Sequence, residues 1–181
     1  MTTRAALLRR QGTTPDGRNF LLRPTAHRDA QALIDLQDAV AGEGQYIAAR
    51  PGERSAVEET LTLDALLTEG GLSIVVEMET ALVGHLIVHR RVHEAHPDIG
   101  DVAIVVANGY RRQGLGRLLM ETAIEWARLV GLRTLSLAVF ATNEPAISLY
   151  RALGFKTRSI QPARARLPAS DRELLLMELP L

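Results

Sequence analysis

Apolar positions along the chain alternate between two periods, and the switches mark the elements. Phe20 to Arg23 reads as a short strand. Thr25 can cap a helix that carries Ala30, Leu33, Ile34, Leu36, Gln37 and Val40, with apolar spacings of three and four. Gly42 to Tyr46 breaks that helix. Ser55 and Glu58 have capping-box spacing and open a second helix, which Gly70-Gly71 closes. Leu72–Met78 and Leu82–Val88 read as a hairpin, and Asp98–Val106 as a third long strand. From Gly114 to Val130 one face collects Leu115, Leu118, Leu119, Thr122, Ala123, Trp126 and Val130, the clearest helix in the sequence. Leu135–Phe140 is a strand, and Asn143 caps a helix to Leu153 that Gly154 ends. Phe155–Ile160 and Leu174–Leu179 are the last strands. The order β-αα-βββ-α-β-α-ββ predicts an α/β sandwich with a mixed sheet. Residues 1–17 read as an N-terminal arm ending at the turn-prone Thr14-Pro15-Asp16-Gly17, and 18–181 as a single domain.

Composition narrows the function classes. The chain has 181 residues, 46% hydrophobic and 23% charged, the profile of one globular domain. Twenty-one basic residues balance 21 acidic ones. Arg4, Arg9, Arg10 and Arg18 give the arm local charge, but neutral net charge and 4% aromatics argue against a nucleic-acid partner. The absence of cysteine excludes disulfides, thiolate metal sites and a cysteine nucleophile. No apolar run approaches the ~18 residues that span a bilayer. The expectation is a cytoplasmic protein with no membrane partner.

One stretch carries chemistry. Asn108-Gly109-Tyr110-Arg111-Arg112-Gln113-Gly114-Leu115-Gly116-Arg117 follows a buried strand and opens a helix. A helix start offers unsatisfied N–H groups and a positive dipole end, and glycines let a ligand approach the backbone. Phosphate is the natural ligand, with Arg111, Arg112 and Arg117 adding charge. The stretch is neither a Walker loop nor a dinucleotide fingerprint.

Downstream lies Asn143-Glu144-Pro145-Ala146-Ile147-Ser148-Leu149-Tyr150-Arg151-Ala152-Leu153-Gly154-Phe155. Together the two stretches resemble motifs A and B of the GNAT superfamily of acyl-CoA-dependent N-acetyltransferases. The first matches at Arg111, Gly114 and Gly116, the second at Asn143, Ala146, Tyr150, Gly154 and Phe155. The resemblance is dense over residues 98–156. It implies a mixed, mostly antiparallel sheet flanked by helices and splayed in the middle to admit acetyl-CoA. Backbone amides of Arg111, Arg112, Gln113, Gly114, Leu115, Gly116 and Arg117 would then hold the pyrophosphate. Ile104, Val105 and Val106 would line the pantetheine arm, with an N–H near Val106 polarising the thioester carbonyl. Asn143 would contact the cofactor. Tyr150 would protonate the departing thiolate, and a phenol aimed at that sulfur suits the task.

The resemblance does not name the proton acceptor. Asp98 is our candidate, since it shares strand parity with Ile104 and Val106. A bulge would favour Asp101 instead. Glu43 and Tyr46, in the loop after the first helix, and His96 are the other candidates. Arg50, Glu53 and Arg54 follow in that loop, with enough charge to bind a zwitterion. His85, His89, His93 and His96 cluster in sequence. However, positions i and i+4 of a strand stand about 13 Å apart, too far to share one ion, so no metal is expected. Trp126 reads as core. The function expected is transfer of acetyl from acetyl-CoA to a primary amine of a small, amino-acid-like molecule in a ternary complex. Alternatives are acetylation of a protein N-terminus or lysine, and a non-catalytic acyl-CoA-binding module. The apolar last strand suggests a homodimer.

Overall fold

The computed structural model describes residues 8–47, 51–52, 54–91, 98–162 and 173–181. Its centre is one eight-stranded sheet in the order β1-β2-β3-β4-β5-β6-β8-β7. The strands are β1 (Arg10–Thr13), β2 (Asn19–Pro24), β3 (Leu72–Met78), β4 (Ala81–Arg90), β5 (Ile99–Val106), β6 (Thr134–Phe140), β7 (Lys156–Pro162) and β8 (Glu173–Pro180). The helices are α1 (Ala30–Gly42), α2 (Ala56–Thr68), α3 (Leu115–Leu129) and α4 (Glu144–Ala152), with a 3-10 turn at His27–Asp29. Every neighbouring pair is antiparallel except β5 and β6. The predicted order holds, with one addition. The segment read as an arm supplies β1, which pairs with β2 from Arg10↔Leu22 to Thr13↔Asn19. Its four residues, Arg10 to Thr13, include no large apolar side chain, so no hydrophobic period marks the strand. Residues 1–7, with Arg4, lie outside the described residues, as do Arg50, Glu53, His93 and His96.

Strand parity sorts the sheet into two faces. Leu22, Ile74, Val76, Gly84, Leu86, Val88 and Val102 face α3, whose Leu119, Met120, Ala123 and Ala127 are fully buried. Gly84 lets that helix settle, because a Cβ there would stand 3.1 Å from Leu119 Cδ1. Trp126 is buried in the same cluster, as expected. The opposite face carries Arg23, Ser73, Val75, His85, Ile87, His89, Asp101, Ala103 and Val105. It lies beneath α1 and α2. There Arg23 forms a bidentate pair with Asp29 (2.7 and 2.9 Å) and also donates from Nε to Glu77 (2.8 Å). Asp29 accepts in addition from the Ala26 N–H (2.8 Å). This fully hydrogen-bonded pair ties the start of α1 to two strands.

The β5–β6 ladder covers only Ile99–Asp101 against Thr134–Ser136 among the described residues. Yet β5 stays paired with β4 up to Gly84↔Val106, and β6 with β8 up to Phe140↔Leu174. The two strands therefore share their first residues and then splay, as the motif resemblance implies.

Candidate active site

The splay exposes the backbone of β5. The Ala107 N–H donates to the Val83 carbonyl (2.9 Å), and the Arg91 N–H to the Ile99 carbonyl (3.2 Å). Odd-numbered residues of β5 therefore bond to β4, and the even-numbered Ile104 and Val106 turn their polar groups toward the gap. The Val106 carbonyl accepts from Arg111 Nε at 2.9 Å, while its N–H points into the gap. Val105 belongs to the other parity, so its backbone serves the sheet and its side chain lines the face below α1 and α2.

The loop that follows reaches α3 through three left-handed residues: Gly109 (φ 81), Arg112 (φ 63) and Gly114 (φ 83). Gly114 is the N-cap of α3 and makes no side-chain cap, so the first N–H groups of the helix, from Leu115, stay open to a ligand. Left-handed backbone at a residue with a Cβ, as at Arg112, costs roughly 1–2 kcal/mol and collects at functional loops. Gly116 has a different reason: a Cβ there would stand 3.3 Å from Leu149, so it sets the approach of α4 to α3. Arg112 and Arg117 are exposed, Arg117 reaching Glu121 at 3.3 Å. Gln113 keeps a buried side-chain oxygen without a partner among the described residues. Arg18 stacks over Tyr110 (4.6 Å) and donates to the Gly109 carbonyl (3.2 Å), bracing the loop from the β1–β2 side.

Arg111 departs from expectation. Its side chain turns away from the helix start and donates to both Glu43 oxygens, at 2.7 and 2.6 Å. Its guanidinium also stacks on Tyr46 at 4.4 Å. Only its backbone remains for the phosphate role.

Asn143 caps α4, its side-chain oxygen accepting from the Ala146 N–H at 3.3 Å, which leaves the amide N–H groups for the gap. Tyr150 follows two turns later and is buried beside Phe155, with ring centroids 5.9 Å apart. Burial pushes its phenol up to about 12. The hydroxyl makes no hydrogen bond among the described residues.

Asp98 is not brought to this place. It sits on the turn before β5, its carbonyl accepts from Arg133 and Thr134 N–H groups, and its carboxylate lies 3.5 Å from Arg133. It precedes the strand, and the six residues from Asp98 to Ile104 put it about 20 Å from that end of β5. Asp101, three residues on, is held by a bidentate Arg91 (2.7 Å to each oxygen). Glu43 is held by Arg111. No shared metal-holding group of His, Asp or Glu occurs among the described residues, and none of their helices is long and apolar enough to cross a membrane. Of the basic residues read in the arm, Arg10 pairs with Glu125 and Arg18 with Asp16.

A cavity of about 220 Å³ does open beside β5. Gln37, Arg54, Glu59, Ser73, His85 and His89 supply its polar wall, and Ala103, Ile104 and Val105 its edge toward the gap. Glu59 is buried and accepts from Arg54 Nη1 at 3.1 Å. His85 Nε2 meets Ser73 Oγ at 2.9 Å, and Ser73 Oγ meets Thr25 Oγ1 at 2.7 Å. Burial holds the His85 ring down to about 4, so it is neutral at pH 7. Sequence reasoning missed Gln37 and Glu59 as wall residues. Both sit at polar positions of amphipathic helices and resemble solvated face residues until the helices are laid on the sheet.

A family model described as the acetyltransferase (GNAT) family matches residues 41–155, more than half of the chain. The chain belongs to the GNAT family. It is 41% identical over 80 residues to the [ribosomal protein bS18]-alanine N-acetyltransferase of Escherichia coli K12, a match covering 43% of this chain and 53% of that relative. The chain thus spans about half the length of that relative. Among solved structures, a GNAT-family acetyltransferase from Streptococcus pneumoniae superposes with a TM-score of 0.82 at 24% identity, covering 90% of this chain and 99% of the other. A phosphinothricin acetyltransferase from Sinorhizobium meliloti, solved with acetyl-CoA, gives 0.79 at 19% identity, covering 88% and 87%. At those identities the two structures speak for the fold, and this GNAT chain's splayed β5–β6 pair and glycine-started α3 are its own evidence for a cofactor cleft.

Proposed function

We propose that the chain is an acetyl-CoA-dependent N-acetyltransferase acting on a primary amine small enough to enter the cavity beneath α1 and α2. One observation carries the reading: the cavity opens onto Ile104 and Val105, beside the Ile104 and Val106 backbone groups that face the gap. An acyl donor in the gap and an amine in the cavity would meet across one strand. Pockets for drug-sized ligands run to about 300–1,000 Å³, so 220 Å³ suits a small amine or a single terminal residue.

Acetyl-CoA supplies the thioester. The open amides from Leu115 onward, with Arg112 and Arg117, bind its pyrophosphate. The Val106 N–H donates to the thioester oxygen as that oxygen gains charge. The amine nitrogen attacks the acyl carbon, a C–N bond forms and the C–S bond breaks. Tyr150 gives its proton to the leaving sulfur, and a phenol raised to about 12 holds that proton throughout the working range. The proton lost by the amine passes to water along the polar wall of the cavity, which His85 and Glu59 help to line, and the Tyr150 phenolate regains a proton from solvent. Asp98, on the far end of β5, has no part in this reading.

Likeness to a ribosomal-protein alanine acetyltransferase favours a second acceptor, a protein N-terminus, whose first residue alone would occupy the cavity. Thiol release measured with a panel of small amines, free amino acids and an alanine-started peptide separates the two. Turnover of free small amines is expected. Turnover of the peptide alone would overturn the small-molecule reading, and turnover of nothing in the presence of bound acetyl-CoA would leave a binding module.

A further inference from the structure

The basic residue that opens the phosphate motif is bound elsewhere. Arg111 spends three N–H groups on Glu43 and the Val106 carbonyl, and its flat face on Tyr46. A guanidinium already matched two-for-two with a carboxylate brings little net charge to a phosphate. What these contacts join is specific. Glu43 is the residue that ends α1, Tyr46 lies three residues into the loop, and Ile47 beyond it lines the cavity. Val106 is the end of the strand that faces the gap.

We propose that Arg111 is a positioning residue of the acceptor site: with Glu43 and Tyr46 it fastens the α1–α2 loop to the end of β5, fixing the cavity wall relative to the Val106 N–H. This rests on the transferase reading above. The side chains that tie loop to strand are separate from the groups that hold the pyrophosphate, so the two functions can be cut apart. Lysine cannot replace this arginine, because an ammonium offers neither the parallel pair of bonds nor the stacking plane.

The test uses Arg111→Gln, Arg111→Lys, Glu43→Gln and the double variant Glu43→Gln with Arg111→Gln. Acetyl-CoA affinity is read by calorimetry at two salt concentrations. Amine kcat and KM are read by thiol release, and amide hydrogen exchange of residues 43–47 is compared with that of 107–117. The expected result is an acetyl-CoA Kd within about 3-fold of the parent in every variant, with an unchanged salt slope. Amine kcat/KM should fall at least about 10-fold in each single variant and no further in the double, since partners in one bond are not additive. Exchange should speed up at 43–47 only. Arg111→Lys should behave like Arg111→Gln.

A Kd weakened about 10-fold or more with a shallower salt slope, in the Arg111 variants and not in Glu43→Gln, would make Arg111 a phosphate ligand and overturn the proposal. So would full rescue by lysine, or unchanged exchange at 43–47. If the parent transfers acetyl to no amine, the transferase reading fails by itself, and exchange at 43–47 still decides whether Arg111 fastens the loop.

Discussion

The phosphate loop and the acceptor cavity meet at the same strand, yet they are assembled in opposite ways. Residues 106–117 form one continuous piece whose working parts are backbone: the N–H of Val106, left-handed glycines and an uncapped helix start. The cavity draws single side chains from α1, the α1–α2 loop, α2, β3, β4 and β5, separated by up to 68 positions in sequence between Gln37 and Val105. A backbone device tolerates many side chains but few changes of conformation. A side-chain device is the reverse: each wall residue can be exchanged, and the ligand changes with it. This difference explains how one fold keeps one acyl donor while its acceptors vary.

The comparison can be broken most severely at Gly114. Gly114→Asp places a carboxylate where the phosphate must lie, and the left-handed φ of 83° disfavours any Cβ. Acetyl-CoA affinity should fall by about 100-fold or more. The left-handed backbone at this position should also lower the melting temperature by a few degrees, without unfolding the domain; calorimetry and a thermal melt on one sample check both. Next comes Tyr150→Phe, which should lower kcat roughly 100-fold and leave acetyl-CoA affinity within a few-fold. Stopped thiol-release assays at saturating acetyl-CoA read it, and an unchanged kcat would remove Tyr150 from the acid role.

On the cavity side, Glu59→Gln removes the buried carboxylate that Arg54 pairs with. We expect amine KM to rise about 10-fold, with acetyl-CoA affinity untouched. A further effect is one of stability and leaves activity at pH 7 aside. His85 is neutral in the fold and held down to about 4, against an ordinary value near 6.5. A depressed histidine contributes stability that is complete above pH 6.5 and disappears as pH falls toward 4, on the order of 3 kcal/mol. Denaturant titrations at pH 7 and pH 4.5 should show the loss, and His85→Gln should flatten that part of the profile.

The same contrast governs what the sequence reveals. Periodicity found the helices and all strands but one, because each buries a face against the sheet. The exception, Arg10–Thr13, is an edge strand of four residues with a glycine inside it. The phosphate loop is legible because conformation there demands glycine at fixed offsets within one stretch. Gly116 shows the limit: its place in the motif is plain, but its contact with Leu149 appears only when α4 is docked. Asp98 was reached by parity alone, and parity says nothing of how far along a strand the chemistry sits. Glu59, Gln37 and the Arg111–Glu43 pair could not be read, since each depends on elements brought together by the sheet. The Arg23–Asp29–Glu77 group is of the same kind.

Calorimetric titration of the protein with acetyl-CoA, and in parallel with desulfo-CoA, tests the central claim most directly. The account predicts micromolar binding of both, because it assigns the pyrophosphate to the open backbone amides at the start of α3 and little affinity to the sulfur. No heat from either ligand with a folded sample would contradict it, and would leave the splayed sheet without the donor that gives it a function.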